Sequence, residues 1–190
     1  MNELAALPAI LRDDAARLLE RFFEVSTSAA VPVPDAAITA QIAAVFAKSI
    51  FVAEYAIRWP ADFLSMIDAA SLHTARDHAA YELVLKAALA PCADLAAVKT
   101  ALRRLRRAEM VRIAWRDLEL GTDVDAIMAE LSAFADVVVS HAVTWVQRAL
   151  EARFGRAYGE HGTPLSLLVL GMGKLGGAGF DFAEKSGYLL

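Results

Sequence analysis

The feature that most limits what this chain can fold into is the helical spacing of its apolar residues, which continues without a convincing strand for about the first 160 positions. Of the 190 residues, 40 are alanine, the strongest helix former. A hydrophobic fraction of 57% excludes global disorder. The sequence therefore predicts a mainly α-helical protein, with a multi-helix domain over residues 1–160.

Capping residues and helix breakers set the expected limits of the helices. Helices are predicted over residues 9–25, 35–58, 61–70, 75–89, 94–120 and 122–154. Asp35 and Asp94 are expected to cap helices, and Gly121 is expected to close one. Trp59-Pro60 is expected to end a helix, because a residue before proline disfavours helical backbone angles.

The pattern changes near the carboxyl end. The apolar run at 164–170, PLSLLVL, is bounded by proline and glycine and is typical of a buried strand. The glycine-rich sequence GMGKLGG follows at once, at 171–177. Glycines let backbone N–H groups approach an anion closely, so this turn is a candidate phosphate site. A tight turn with no ligand is the alternative.

Two well-known phosphate motifs do not fit this turn. Gly171, Gly173 and Gly176 match G-x-G-x-x-G formally, but a dinucleotide fold needs an acidic residue about 20 positions further on. Only 14 residues follow Gly176. The P-loop pattern fails because Lys174 is followed by leucine and stands at the wrong distance from the previous glycine.

A second feature is a run of basic residues over positions 99–116. Its members are Lys99, Arg103, Arg104, Arg106, Arg107, Arg112 and Arg116, opposed by Glu109 alone. Because these positions point in several directions around a helix, some of the arginines must face other helices or a partner. The run predicts either a solvated face with intramolecular ion pairs or a surface that binds phosphate or acidic groups.

The histidines and tryptophans indicate no metal or cofactor site. His73 and His78 are five positions apart and do not share a helix face, and no Cys/His cluster has zinc spacing. His141 is expected to be a satisfied core histidine. Core positions are also expected for the three tryptophans, Trp59, Trp115 and Trp145. The sequence thus predicts no catalytic residue and no metal ligand.

Composition also argues against several classes of partner and location. The net charge of −4 disfavours a nucleic-acid binder. No stretch of about 18 apolar residues lacks a charge, so a membrane-spanning helix is not expected. The N-terminus lacks the pattern of a signal peptide, and the single Cys92 fits a reducing compartment. We therefore expect a cytoplasmic protein.

Two stretches carry a resemblance to a known family. They are LRRLRRAEMVRIAWRDL at 102–118 and LLVLGMGKLGG at 167–177. In order and separation they resemble the N-terminal half of the bacterial glutamate–ammonia-ligase adenylyltransferase family, whose bifunctional enzymes add AMP to glutamine synthetase and remove it. The resemblance implies a helical region that leads into a nucleotidyltransferase domain of the DNA-polymerase-β type. Residues 161–190 are the start of that domain.

The resemblance also implies site residues and a reaction. Gly173 and Lys174 match the turn that holds nucleotide phosphates, and Gly176 and Gly177 open the helix after it. The half resembled is the adenylyl-removing one, which uses inorganic phosphate to release AMP from a tyrosine of glutamine synthetase as ADP. Mg²⁺, nucleotide and phosphate are the implied ligands. Glutamine synthetase and a PII-type signalling protein are the implied partners.

The sequence departs from the family where the metal ligands belong. Counted along the chain, the two aspartates that bind Mg²⁺ in the family fall at Lys185 and Gly187, neither of which offers a carboxylate. The tail is expected to diverge from the family from about Ala178. We therefore predict an incomplete nucleotidyltransferase domain and a chain that is inactive alone. The alternative function is a non-catalytic helical module whose arginine-rich helix docks an acidic partner.

Overall fold

The computed structural model describes residue 4 and residues 7–171. Seven α-helices and one short 3-10 helix (Ala70–His73) account for most of the described residues. The α-helices are α1 (Ala9–Ser28), α2 (Ala36–Lys48), α3 (Ile50–Arg58), α4 (Pro60–Asp68), α5 (His78–Leu89), α6 (Leu95–Leu118) and α7 (Val124–Phe154). The predicted mainly α-helical class is confirmed.

Several helix ends lie where the sequence predicts them. The Asp35 carboxylate accepts a hydrogen bond from the Ile38 N–H at 2.8 Å, and the Asp94 carboxylate accepts one from the Ala97 N–H at 2.8 Å. Gly121 follows α6 with a φ of +60°, a left-handed conformation that glycine adopts without steric cost. Local residue chemistry therefore contributes directly to these helix boundaries.

The single helix predicted over residues 35–58 is wrong, because the chain breaks at Ser49. This residue is extended, with φ −147° and ψ 101°, and separates α2 from α3. Its hydroxyl accepts a hydrogen bond from the Val52 N–H at 3.4 Å, which caps α3. Serine stabilises the start of a helix in this way, whereas it is a less favourable residue in the interior of a helix.

Two other helix limits differ from prediction. Helix α1 continues three residues past 25 to Ser28, whose hydroxyl donates to the Glu24 carbonyl at 2.9 Å and so stays inside the helix. Helix α5 begins at His78, not at 75. Asp77 precedes it, and its carboxylate accepts a hydrogen bond from the Ala80 N–H at 2.9 Å.

The chain divides into two compact units, with boundaries just before α5, within α6 and within α7. The first unit comprises residues 1–75 and 106–127, and the second comprises residues 76–105 and 128–190, described to residue 171. The predicted domain boundary at residue 160 stays a prediction, since most of the predicted second domain, 161–190, lies outside the described residues.

An aromatic cluster forms the centre of the first unit. The Phe63 ring lies 5.8 Å from the Phe22 ring, 6.2 Å from the Phe46 ring and 5.6 Å from the Trp115 ring, measured between centroids. All four side chains are almost fully buried. They come from α1, α2, α4 and α6, so this cluster joins four helices that are distant in sequence.

The second unit is centred on α5 and α7. Tyr81 packs on Phe134 with ring centroids 5.1 Å apart, and Leu85 and Val137 are buried beside them. The Glu130 carboxylate, only 2% exposed, accepts hydrogen bonds from the Arg76 N–H at 2.8 Å and the Tyr81 hydroxyl at 3.4 Å. The carboxylate of this buried acid therefore has hydrogen-bond partners, as buried polar groups in proteins generally do.

Helix α7 is long and apolar enough to cross a membrane, judged by length and composition alone. Its most apolar window is 28% buried in the fold. Glu130 and Asp136 lie on this helix, and both have polar partners in the second unit: Glu130 as described above, and Asp136 with the His78 ring at 3.2 Å. These contacts join α7 to α5 and to Arg76.

Candidate functional site: the glycine-rich turn and the arginine-rich helix

The residues predicted to bind phosphate lie just beyond the described part of the chain. Gly171, the first glycine of the turn, is the last described residue. Gly173, Lys174, Gly176 and Gly177 lie outside the described residues, so their role stays a prediction.

The approach to this turn is a short, exposed segment that follows α7. Gly155 ends the helix with a φ of +83°. The chain then folds back in a small loop, where Tyr158 and Pro164 form an isolated antiparallel bridge and the Leu165 N–H donates to the Ala157 carbonyl at 2.9 Å. Three glycines lie in this loop, at 155, 159 and 162, and those at 155 and 162 have positive φ angles.

The predicted strand does not form over the described residues of the 164–170 run. Beyond the bridge at Pro164 the run has no regular secondary structure, and the side-chain amide oxygen of Gln147 accepts a hydrogen bond from the Leu167 N–H at 3.2 Å. Its leucines and valine are all exposed; Leu170 is 75% exposed. A strand needs a partner strand for its backbone groups, and none is present among the described residues.

The arginine-rich helix is α6, and two of its arginines are core residues of the first unit. Arg112 and Arg116 are buried, which confirms that some of these arginines face other helices. The Arg112 guanidinium donates through Nε to the buried Glu109 carboxylate at 2.9 Å and through Nη1 to the Thr74 carbonyl at 3.4 Å. These two arginines therefore serve the fold and are not available to a partner.

Other arginines of the run are exposed, and one of them meets an aromatic ring. The Arg107 guanidinium lies 5.1 Å from the centroid of the Trp59 ring, and the Arg58 guanidinium lies 4.8 Å from the same centroid. Trp59 is half-buried, whereas both arginines are exposed. The prediction that Trp59 is a core residue therefore holds only in part. The ring is half-buried, and two exposed guanidinium groups lie over it.

Trp115 has the core position expected of it, and Trp145 is half-buried on α7. His141 is not a core histidine: its ring is partly exposed, and Nε2 lies 2.6 Å from the Glu82 carboxylate. Among residues 4 and 7–171, no group of three or more histidine, cysteine, aspartate or glutamate side chains is placed to hold a metal ion. We therefore derive no chemistry through a metal from the described residues.

At the end of α6 a carboxylate has a perturbed pKa. Burial raises the pKa of Glu119 above its ordinary value, and attraction to Lys48 opposes this in part. The Lys48 ammonium group donates to the Leu118 carbonyl at 2.8 Å, which holds the cation at the end of the helix. The negative charge of Glu119 is therefore less favourable in the folded chain than in the unfolded chain.

We expect Glu119→Gln to stabilise the protein at neutral pH and above. Because the pKa of this acid is raised by folding, the native state binds its proton more tightly, and the free energy of unfolding falls as the pH rises from the unfolded pKa through the folded pKa. Glutamine at 119 does not ionise, so the free energy of unfolding of the variant lacks this fall. Thermal unfolding between pH 4 and 8 checks the prediction: the variant and the parent should converge at the acidic end and separate at pH 8.

The exposed Glu54 on α3 provides the control, since Glu54→Gln removes the same charge from the same unit. A Glu119→Gln variant less stable than the parent at pH 8 would contradict the prediction. That result would mean that the attraction of Lys48 outweighs the cost of burial.

The arginine-rich helix α6 precedes the glycine-rich sequence at 171–177 in the chain. Residues 39–185 match the family described as glutamate-ammonia ligase adenylyltransferase, and the chain belongs to this family. The match continues to residue 185. The prediction that the resemblance ends at about Ala178 is therefore wrong.

Several curated relatives extend the comparison, and each is named a bifunctional glutamine synthetase adenylyltransferase/adenylyl-removing enzyme. The chain is 34% identical to that of Thioalkalivibrio sulfidiphilus, over 95% of this chain and 18% of the relative. It is 36% identical to that of Pseudomonas aeruginosa, over 93% of this chain and 19% of the relative. The chain thus spans about a fifth of the length of these relatives.

Proposed function

We propose that this chain supplies the N-terminal helical region of the half of a glutamine synthetase adenylyltransferase that removes AMP. The observation that carries the proposal is the order of its two most specific stretches, 102–118 and 167–177, within a family match over residues 39–185. Its relatives are named for both adding and removing the adenylyl group. Residues 161–190 begin the nucleotidyltransferase domain in this proposal.

In the proposed reaction, an oxygen of inorganic phosphate attacks the phosphorus of the AMP group on a tyrosine of glutamine synthetase. The bond from that phosphorus to the tyrosine oxygen breaks, and the proton of the attacking phosphate passes to that oxygen. The products are ADP and the unmodified tyrosine side chain of glutamine synthetase. In this proposal, backbone N–H groups and the ammonium group of Lys174 stabilise the negative charge on the phosphate oxygens in the transition state. The N–H groups are those of Gly173, Gly176 and Gly177.

Mg²⁺ would supply charge stabilisation in the complete enzyme, but the residues of this chain do not fit it. The family positions for the metal carboxylates hold Lys185 and Gly187, an amine and a residue without a side chain. We therefore propose that the 190-residue chain alone releases no ADP from adenylylated glutamine synthetase in the presence of phosphate and Mg²⁺. ADP release by the isolated chain would overturn this part of the proposal.

The proposed partners are glutamine synthetase, which the names of the relatives contain, and a PII-type signalling protein. Such a protein would act in the cytoplasm, where the single Cys92 stays reduced. A non-catalytic docking module is the second candidate, and the exposed arginines on Trp59 favour it as an additional role of the same helices.

A chimera tests the assignment to the AMP-removing half. Residues 1–177 replace their counterpart in the Pseudomonas aeruginosa relative, which then provides everything that follows the glycine-rich turn. We expect the chimera to release ADP from adenylylated glutamine synthetase and also to add AMP to the unmodified protein. A chimera that adds AMP normally but releases no ADP, although it folds, would contradict the proposal.

A further inference from the structure

The exposed surface of the first unit that favours a docking role is centred on Trp59. We propose that Arg58, Trp59 and Arg107, which we call the Trp59 surface, dock an acidic protein segment through its carboxylates. This inference concerns a binding surface and holds whether or not the enzyme removes AMP.

The Trp59 surface holds two positive charges close together. Both guanidinium carbons lie within 5.1 Å of one ring centroid, so the charges are within about 10 Å of each other, close to the screening length in 0.1 M salt. No carboxylate among the described residues forms an ion pair with either Arg58 or Arg107. Attraction to the ring compensates the two exposed charges only in part, and an anion would compensate them further.

The fold holds the ring in place before any partner arrives. Trp59 joins α3 to α4, where its N–H donates to the Tyr55 carbonyl at 2.9 Å and its carbonyl accepts from the Phe63 N–H at 3.0 Å. The buried Tyr55 ring lies 5.0 Å from the indole ring. A fixed aromatic ring in contact with two arginines resembles the residues that dominate binding energy in protein interfaces, where tryptophan and arginine are enriched.

The chemistry favours an acidic protein over a nucleic acid. A guanidinium group offers two parallel N–H donors that match a carboxylate. Single-stranded nucleic acid binds chiefly by stacking bases on open aromatic faces. The Trp59 ring is already contacted by two guanidinium groups and by Tyr55, and the chain as a whole has a net charge of −4. A general polyanion site is therefore disfavoured.

The test measures binding of a fluorescein-labelled glutamate-rich peptide to the 190-residue chain by fluorescence anisotropy at 50 and 200 mM NaCl. We expect binding that weakens as salt increases, because screening reduces attraction between exposed charges. The double variant Arg58→Gln/Arg107→Gln should bind at least about tenfold more weakly at 50 mM NaCl, in line with the loss of two charge-assisted contacts.

The matched control is Arg21→Gln/Arg148→Gln, which removes the same charge from exposed positions on α1 and α7. It should change the Kd by less than about twofold, with circular dichroism confirming that both double variants fold. Labelled poly-uridine RNA is the competing probe and should bind more weakly than the peptide. Three results would overturn the inference: no peptide binding, an equal loss in both double variants, or tighter binding of the RNA.

Discussion

Replacing Phe63 by alanine is expected to lower the free energy of unfolding of the first unit by about 3–5 kcal/mol. This side chain is fully buried and contacts three other rings, those of Phe22, Phe46 and Trp115. Its removal loses the favourable free energy of burying an aromatic ring. It also leaves a cavity that is bordered by four helices. Because these helices share one cluster, none of them can close the cavity alone.

Urea unfolding followed by circular dichroism measures the effect, with Phe51→Ala as the control. Phe51 lies on α3 in the same unit but is 41% exposed, so its replacement should cost about 1 kcal/mol or less. Equal losses in the two variants would contradict the position of Phe63 at the centre of this core.

The second large effect is expected from Glu109→Ala, which should destabilise the first unit by about 3–5 kcal/mol. Glu109 and Arg112 are both buried and form an ion pair of 2.9 Å within α6. Alanine at 109 removes this counter-charge and leaves the Arg112 guanidinium in a place with little access to water. The cost combines the loss of the ion pair with the burial of a guanidinium group that has one carboxylate acceptor fewer.

A double replacement separates these two causes. Glu109→Leu/Arg112→Met removes both charges and keeps similar volumes, so it should recover most of the stability lost in Glu109→Ala. Raising the salt concentration should change the loss little, because buried charges are weakly screened. A double variant as unstable as Glu109→Ala would contradict this explanation.

Much of the fold could be predicted because the decisive signals are local. Aspartate caps at Asp35 and Asp94 and the glycine after α6 act through their own side chains or backbone. The break at Ser49 could not be predicted, since apolar spacing continues on both sides of it and the serine only determines where the helix divides. The start of α5 was placed three residues early, although Asp77 is a good capping residue.

The roles of individual arginines could not be predicted, because they depend on contacts with distant parts of the chain. The sequence indicated that some basic residues of α6 face inward. It could not single out Arg112, whose partners include the carbonyl of Thr74, 38 residues away. For the same reason it predicted Trp59 as a core residue, since nothing in the local sequence shows that Arg107 lies over its ring.

The candidate phosphate turn was identified from sequence composition and family resemblance, and its role depends on residues beyond the described part of the chain. Helices end at Phe154, and the exposed run at 164–170 leads directly to the turn. The structure therefore describes the segment that leads to the turn. The chemistry of the turn itself is tested through the side chain of Lys174.

The most direct measurement of the central claim is the rate of ADP release from adenylylated glutamine synthetase by the chimera with Lys174→Ala. Loss of a cation that stabilises transferred phosphate should lower this rate by roughly 10²–10³-fold and leave the addition of AMP unchanged. Lys86→Ala, which removes an exposed lysine from α5, should leave both rates unchanged. Unaltered ADP release in Lys174→Ala, or an equal fall in both activities, would contradict the assignment of this turn to AMP removal.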